Sequence, residues 1–208
     1  MTWSVPPEWA GEACFIVAGG PSVLRQDLSL LAGRRVIVIN SAYQAYPAAD
    51  FLFFADVRWY RLHIAAVKKF AGRVVTCSFC DVPPVLKLNR RNPPGLHDDP
   101  TCLTMRNTSL QGAINLACHL GVTLQVLLGA DGGPAADGRM HHHAPHPWPQ
   151  RARCFEIQRD DLATTLAPLK ARGVTVLNAS PGSAWTDLWP VVDLAEALAV
   201  ADGLRRAA

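Results

Sequence analysis

The residues best suited to chemistry are four histidines in one short segment. Met140 is followed by His141, His142 and His143, and His146 comes after Ala144 and Pro145. An imidazole titrates near pH 6.5, so it gives or takes a proton close to neutrality. Positions 141, 143 and 146 form an H-x-H-x-x-H spacing. Pro145, Pro147 and Trp148 flank it, and the prolines restrict the backbone. Three readings are open. His141, His143 and His146 act as general acid or base, or steady a leaving phosphate. Two or three of them ligate a divalent metal. Or the segment is a solvated tip. His142 is out of phase with its neighbours and is expected to tolerate replacement. His63 and His119 fall inside helical patterns and read as structural. His97, beside Asp98 and Asp99, reads as a loop residue.

A second group of residues follows the apolar runs. "CFIVAGGPSVL" ends a buried run in Gly19-Gly20-Pro21-Ser22. Asn40-Ser41 follow the next run, then Asp56 and Arg58, then Gly129-Ala130-Asp131-Gly132, and finally residues 178–183, "NASPGS". Glycines remove side chains so that a ligand can approach the backbone. Pro21 suits a first helical turn, and free N–H groups there, with the Ser22 hydroxyl, would hold an anion. The competing reading is a turn and nothing more. Trp59 reads as a core residue, and Trp185 and Trp189 as pocket wall or sheet-edge cover.

These residues need elements to position them. Short continuous apolar runs at 14–18, 36–39, 51–55, 74–77, 124–128 and 174–177 predict strands buried on both faces. Helical patterns lie at 22–31, 59–70, 109–120, 151–171 and 192–204. Such alternation predicts a doubly wound, mainly parallel α/β sheet of about six strands. In that architecture ligands bind beyond the carboxyl ends of the strands, where the polar residues gather. Residues 1–208 are expected to form a single Rossmann-like nucleotide-binding domain. Segments 78–107 and 129–149 are too long and aperiodic for ordinary connections and read as functional or disordered loops.

Composition narrows the function. The chain has 208 residues, 50% of them hydrophobic, and a formal net charge of +3. That charge does not favour a nucleic-acid partner, although "KLNRRN" is a local basic cluster. No apolar run is long enough to cross a membrane, and the start has no secretory pattern. Six cysteines without a zinc-finger partner spacing fit a reducing, cytoplasmic setting. "GGPSVL" is not the dinucleotide fingerprint, and no P-loop is present.

Taken in order, "FIVAGGPSVL", "VIVINSAY", "FLFFADVRWY", "RNTSLQGAINLACHLG", "VLLGADGG", "HHHAPHP" and "VTVLNASPGS" resemble the MptE-like family. That family comprises archaeal-type hydroxymethyl-dihydropterin pyrophosphokinases with bacterial and phage relatives. The set is also distantly similar to bacterial sialyltransferases that use CMP-sialic acid. The resemblance implies a Rossmann-like fold holding a nucleotide donor. It implies that Gly19, Gly20, Pro21 and Ser22 face the phosphates and that Asn40 lies by the sugar or base. By the same likeness Asn107, Ser109 and Gln111 add polar contacts and Asp131 ends the fifth strand as an acidic residue; Asp56, at a strand exit, is a further nucleotide contact, and Asp131 is a candidate ligand for Mg²⁺.

The expected function is a nucleotide-dependent transferase moving a glycosyl or pyrophosphoryl group from a nucleotide or nucleotide-sugar donor. Its catalytic residues would be His141, His143 and His146. The alternatives are a non-catalytic nucleotide-binding module and a phage-type transferase that modifies nucleic acid. The acceptor and the oligomeric state are left open.

Overall fold

The computed structural model describes residues 2–80, 85–149 and 153–207. Positions 151 and 152 of the helical pattern at 151–171 lie outside that range, as do residues 81–84 of the 78–107 segment.

Strands β1 (Ala13–Val17), β2 (Arg35–Ile39), β3 (Phe51–Phe54), β4 (Arg73–Thr76) and β5 (Val85–Lys87) are laid down side by side in one direction. Strand β8 (Leu124–Leu128) then pairs on the other flank of β1, and β9 (Thr175–Asn178) beyond it. The order is β5-β4-β3-β2-β1-β8-β9, with every neighbouring pair parallel. The winding therefore reverses between β1 and β8, and chains leaving those two strands diverge around a crevice. Strands β6 (Asn89–Arg91) and β7 (Cys102–Thr104) form a separate parallel pair.

The main sheet has seven strands where about six were expected. The extra one is β5, three residues long, inside the 78–107 segment that read as a loop. The helical pattern at 22–31 also resolves differently. It forms two 3₁₀ turns, Pro21–Arg25 and Leu28–Leu31, broken where the Asp27 side chain accepts from the Ser29 N–H. A carboxylate capping its own chain two residues on stops an α-helix from propagating.

Alternation along the strands sends side chains to two cores. Phe51 and Phe53 join Ile16, Trp9 and the helix α2 (Ser109–His119) on one face. Leu52 and Phe54 join Phe15 on the other face. There they meet Trp59 and Tyr60 of α1 (Val57–Lys69) and Ala197 and Leu198 of α5 (Leu194–Ala207). Between β8 and β9 the chain forms α3 (Cys154–Ala163) and α4 (Leu166–Ala171), which supply Leu162 and Leu169 to the first core.

Gly112 lets α2 lie close on the sheet. A Cβ there would sit 2.8 Å from the Phe53 ring and 3.1 Å from the Met105 sulfur. Gly112→Val overpacks this contact, and such overpacking costs about 1–3 kcal/mol. The expected outcome is a lower urea midpoint with an unchanged denaturant slope.

Candidate active site at the carboxyl ends of the strands

The crevice between β1 and β8 is filled by the protein itself. The Asp131 carboxylate accepts from the Ser22 N–H at 2.7 Å and from the Ser22 hydroxyl. Gly20 explains how the groups meet. Its N–H donates to the Gly129 carbonyl, and a Cβ at Gly20 would lie 2.5 Å from that oxygen and 2.6 Å from the Asp131 carboxyl carbon. The glycine thus makes room for Asp131, and Pro21 and Ser22 are buried beside it. The anion expected at this turn is the chain's own carboxylate. Burial raises the Asp131 pKa, and the two bonds from Ser22 offset only part of that rise. Each Asp131 oxygen thus accepts one bond from Ser22.

Other expected contacts are also taken by protein. Asp56 caps α1 through the Arg58 N–H and pairs with the Arg58 guanidinium at 2.8 Å. Burial pushes its pKa up, but the Arg58 bonds outweigh burial and hold it below the ordinary value. Asn107 donates from its backbone and its amide to Asp161 on α3. Gln111 is fully buried and donates to the Gly95 carbonyl. Ser109 opens α2, which Thr108 caps. Asn107 and Gln111 therefore tie α2 to its neighbours. At the β9 exit, Ser180 receives the Ala130 N–H, and Asn178 and Ser183 both donate to the Ala130 carbonyl. These polar exits brace the loop after β8.

That loop then crosses the rim. It leaves β8, and the His142 N–H donates to the Gly19 carbonyl at the β1 exit. It continues to the β3 exit, where Trp148 stacks on His146 at 4.8 Å and lies under the Arg58 guanidinium at 4.7 Å. Between these anchors the imidazoles pack on one another. His141 and His143 stack with centroids 4.9 Å apart, and His146 meets both edge-on at 5.2 and 5.0 Å. Positions 141, 143 and 146 do gather, as their spacing suggests. Their rings face one another, however, and among the described residues no group of three His, Cys, Asp or Glu side chains is placed to hold a metal ion.

Each ring is shifted toward its neutral form. Burial, then repulsion from the neighbouring imidazoles, lowers His141 and His142 to about 4. Burial also lowers His143 and His146, and His63 beneath them. His143 Nδ1 lies 2.8 Å from the Ala144 carbonyl. In a neutral ring that nitrogen must carry the proton, so Nε2 presents its lone pair. His141 Nδ1 and His143 Nε2 hang over Gly19, 3.6 and 3.8 Å from where a Cβ would stand.

Sequence reasoning missed His142. Its Nε2 is buried with no partner, so its ring points inward and not to solvent. Asn40, one strand along from Gly19, is a second orphan on this rim, while Gln111 Oε1 and Asn178 Oδ1 are also buried without a partner. Asn40 holds a left-handed backbone at φ 50° and buries Oδ1 without a partner. Both the strain and the unmet acceptor are features that gather at functional sites. Beside Asn40, Ser41 accepts from the Trp59 indole, and Trp59 stacks on His63, which bonds the Tyr43 hydroxyl. Trp59 is therefore core, and Trp185 and Trp189 are also buried.

Acid should open the loop. Free imidazoles titrate near 6.5, whereas His141 and His142 in the closed loop titrate near 4. Above pH 6.5 both states are neutral and the loop is unaffected. As the pH falls from 6.5 towards 4, only the open state gains protons, so the closed loop loses stability. Trp148 fluorescence, taken as the difference from Trp148→Phe, should change across that window. A signal flat from pH 7 to pH 4 would contradict the burial of these rings.

No family model and no curated protein matches the sequence. Solved structures do match in shape. One is the sialyltransferase CstII from Campylobacter jejuni in complex with the substrate analogue CMP-3FNeuAc. It has 12% identity and a TM-score of 0.52, over 86% of this chain and 86% of that one. Another is the sialyltransferase CST-II in complex with a trisaccharide acceptor and CMP. It has 11% identity and a TM-score of 0.50, with the same coverage. The likeness is one of fold.

Proposed function

We propose that this protein is a transferase that takes a nucleotide-activated sugar at the rim over β1 and β2 and moves the glycosyl group to a hydroxyl acceptor. The observation that carries the reading is the neutral His143 ring, held by Ala144 so that its Nε2 lone pair overlies Gly19. Asn40 Oδ1 and His142 Nε2 supply unmet polar contacts for the donor beside it. The shared fold with sialyltransferases that bind CMP-type ligands supports a nucleotide sugar over a pyrophosphoryl donor.

In this reading the acceptor hydroxyl attacks the anomeric carbon of the donor. The bond from that carbon to the phosphate oxygen breaks, and the nucleotide leaves with the electron pair. His143 Nε2 takes the hydroxyl proton as the new bond forms. His141 stacks on His143 and holds the ring in place, and His146 with Trp148 and Arg58 closes the loop. Such chemistry needs positioning and a base near neutrality more than it needs new charge.

A thermal-shift screen over nucleotides and nucleotide sugars tests donor binding. A true donor at about 100-fold over Kd should raise the melting temperature by roughly 5–10 °C. Asn40→Gly keeps the left-handed backbone and removes the amide, and it should lose most of that shift. With the donor in hand, His143→Ala should lower turnover by about 100-fold or more and leave donor affinity nearly unchanged. Wild-type turnover in that variant would remove the base assignment. Absence of any nucleotide shift would remove the donor.

A further inference from the structure

The main sheet ends at β9, and the free edge of that strand is met by other chain except at one residue. The Thr175 and Ala179 N–H groups donate to the Thr123 and Leu127 carbonyls, on the side of β8. Alternation along a parallel strand therefore turns the N–H groups of Val174, Val176 and Asn178 to the other side. Two of these are taken. Val174 donates to the Leu169 carbonyl at 3.0 Å, and Asn178 donates to the Pro190 carbonyl at 2.9 Å. Val176 stands between them and is 6% exposed, and among the described residues no carbonyl crosses the edge to meet its N–H.

A cavity of about 270 Å³ opens at that gap. Leu166 and Leu169 of α4, with Val174, Val176 and Trp189, give it an apolar wall, and Lys170 brings the one charge to its lining. Trp189 is 5% exposed, and its indole N–H is buried without a partner. Of the buried side-chain atoms left unpaired among the described residues, this is the one on a residue that lines the cavity. Two unmet donors, one from backbone and one from an indole, therefore stand at the same cavity. A buried donor without an acceptor is costly, and native structures hold few of them. The lining carries a lysine and no acid, which favours an anion over a cation. A carboxylate supplies two acceptor oxygens, and the apolar wall suits a hydrocarbon body. A dry cavity of about 150 Å³ holds benzene. The larger volume here fits a ring with a short acid arm.

We propose that this cavity binds a small apolar carboxylic acid. Its carboxylate accepts from the Val176 N–H and the Trp189 indole, and its hydrocarbon body lies against Leu166, Leu169 and Val174. None of these residues belongs to the histidine loop or to the turn at Gly19, and the inference does not depend on the transferase reading.

Proton–nitrogen correlation spectra of the isotope-labelled full chain test it, with benzoate and phenylacetate as probes. Benzyl alcohol keeps the body without the charge, and acetate keeps the charge without the body. The Trp189 indole signal is identified by its loss in Trp189→Phe. At least one probe should shift that signal and the Val176 amide and saturate, with a Kd of about 1 mM or tighter. Both controls should bind at least tenfold more weakly. Trp189→Phe keeps an aromatic wall and removes the donor, so it should weaken the probe at least fivefold, read at the Val176 amide. Lys170→Gln, at an exposed position, should weaken it about threefold. Circular dichroism checks that both variants fold. If neither probe moves the two signals, or if Trp189→Phe binds unchanged, the inference is overturned. Benzyl alcohol binding as tightly as benzoate would overturn the assignment of a carboxylate. Shifts confined to the histidine loop would put the acid on the rim and overturn the site.

Discussion

The bond between Asp131 and Ser22 sets the terms for everything else on this rim. It joins residues 109 positions apart and occupies the one place where a doubly wound sheet opens of its own accord. Because the carboxylate takes the N–H and hydroxyl of the Pro21–Arg25 turn, that turn has no donors left at Ser22 for a phosphate. Because Asp131 also receives the Ala184 N–H on its backbone carbonyl, the β8 exit is pinned to the chain after β9. The loop from Gly132 onward therefore starts from a fixed point. It can only run back across β1, and there the His142 N–H finds the Gly19 carbonyl. A buried carboxylate without Ser22 would be costly, and Ser22 without Asp131 would leave a buried hydroxyl unmet. The two residues are worth more together than either is alone.

The neutrality of the histidines follows from that path. An imidazole in solvent would be partly charged near pH 6.5. Here the loop stacks three rings on one another and on Trp148, so a proton on any one of them meets both poor solvation and its neighbours. The result keeps the rings free to accept a proton near neutrality, at a reduced proton affinity. Among the described residues no three His, Cys, Asp or Glu groups are placed to hold a metal ion, for His141 and His143 stack face to face and His146 meets them edge-on. Spacing brings the three residues together, but the anchors at Gly19 and Trp148 decide how they are turned.

Much of the fold was legible because it rests on local pattern. Runs such as "CFIV" and "FLFF" are continuous and apolar, as strands buried on both faces must be, and helices such as α2 begin at readable caps like Thr108. The strand β5 was not legible, because three residues beside a proline-rich stretch carry no period. The site was legible only in part. The histidine cluster and Asn40 stood out by type and place. The role of Gly-Gly-Pro-Ser did not, since a turn and an anion site look alike until the distant Asp131 is known. Asn107 and Gln111 failed in the same way. Their partners, Asp161 and Gly95, are remote in sequence, and an amide gives no sign beforehand of whether it will face a ligand or a helix.

The guanidinium over Trp148 is paired, and the pairing has a physical reason. Cations close to the imidazoles would lower their pKa values further and make them poorer bases, as Arg58 already does slightly for His146. The structure limits that effect by pairing Arg58 with Asp56 and covering it with Trp148. Asp56 thus has two tasks at the β3 exit: it caps α1, and at His146 its charge opposes the one that Arg58 brings there.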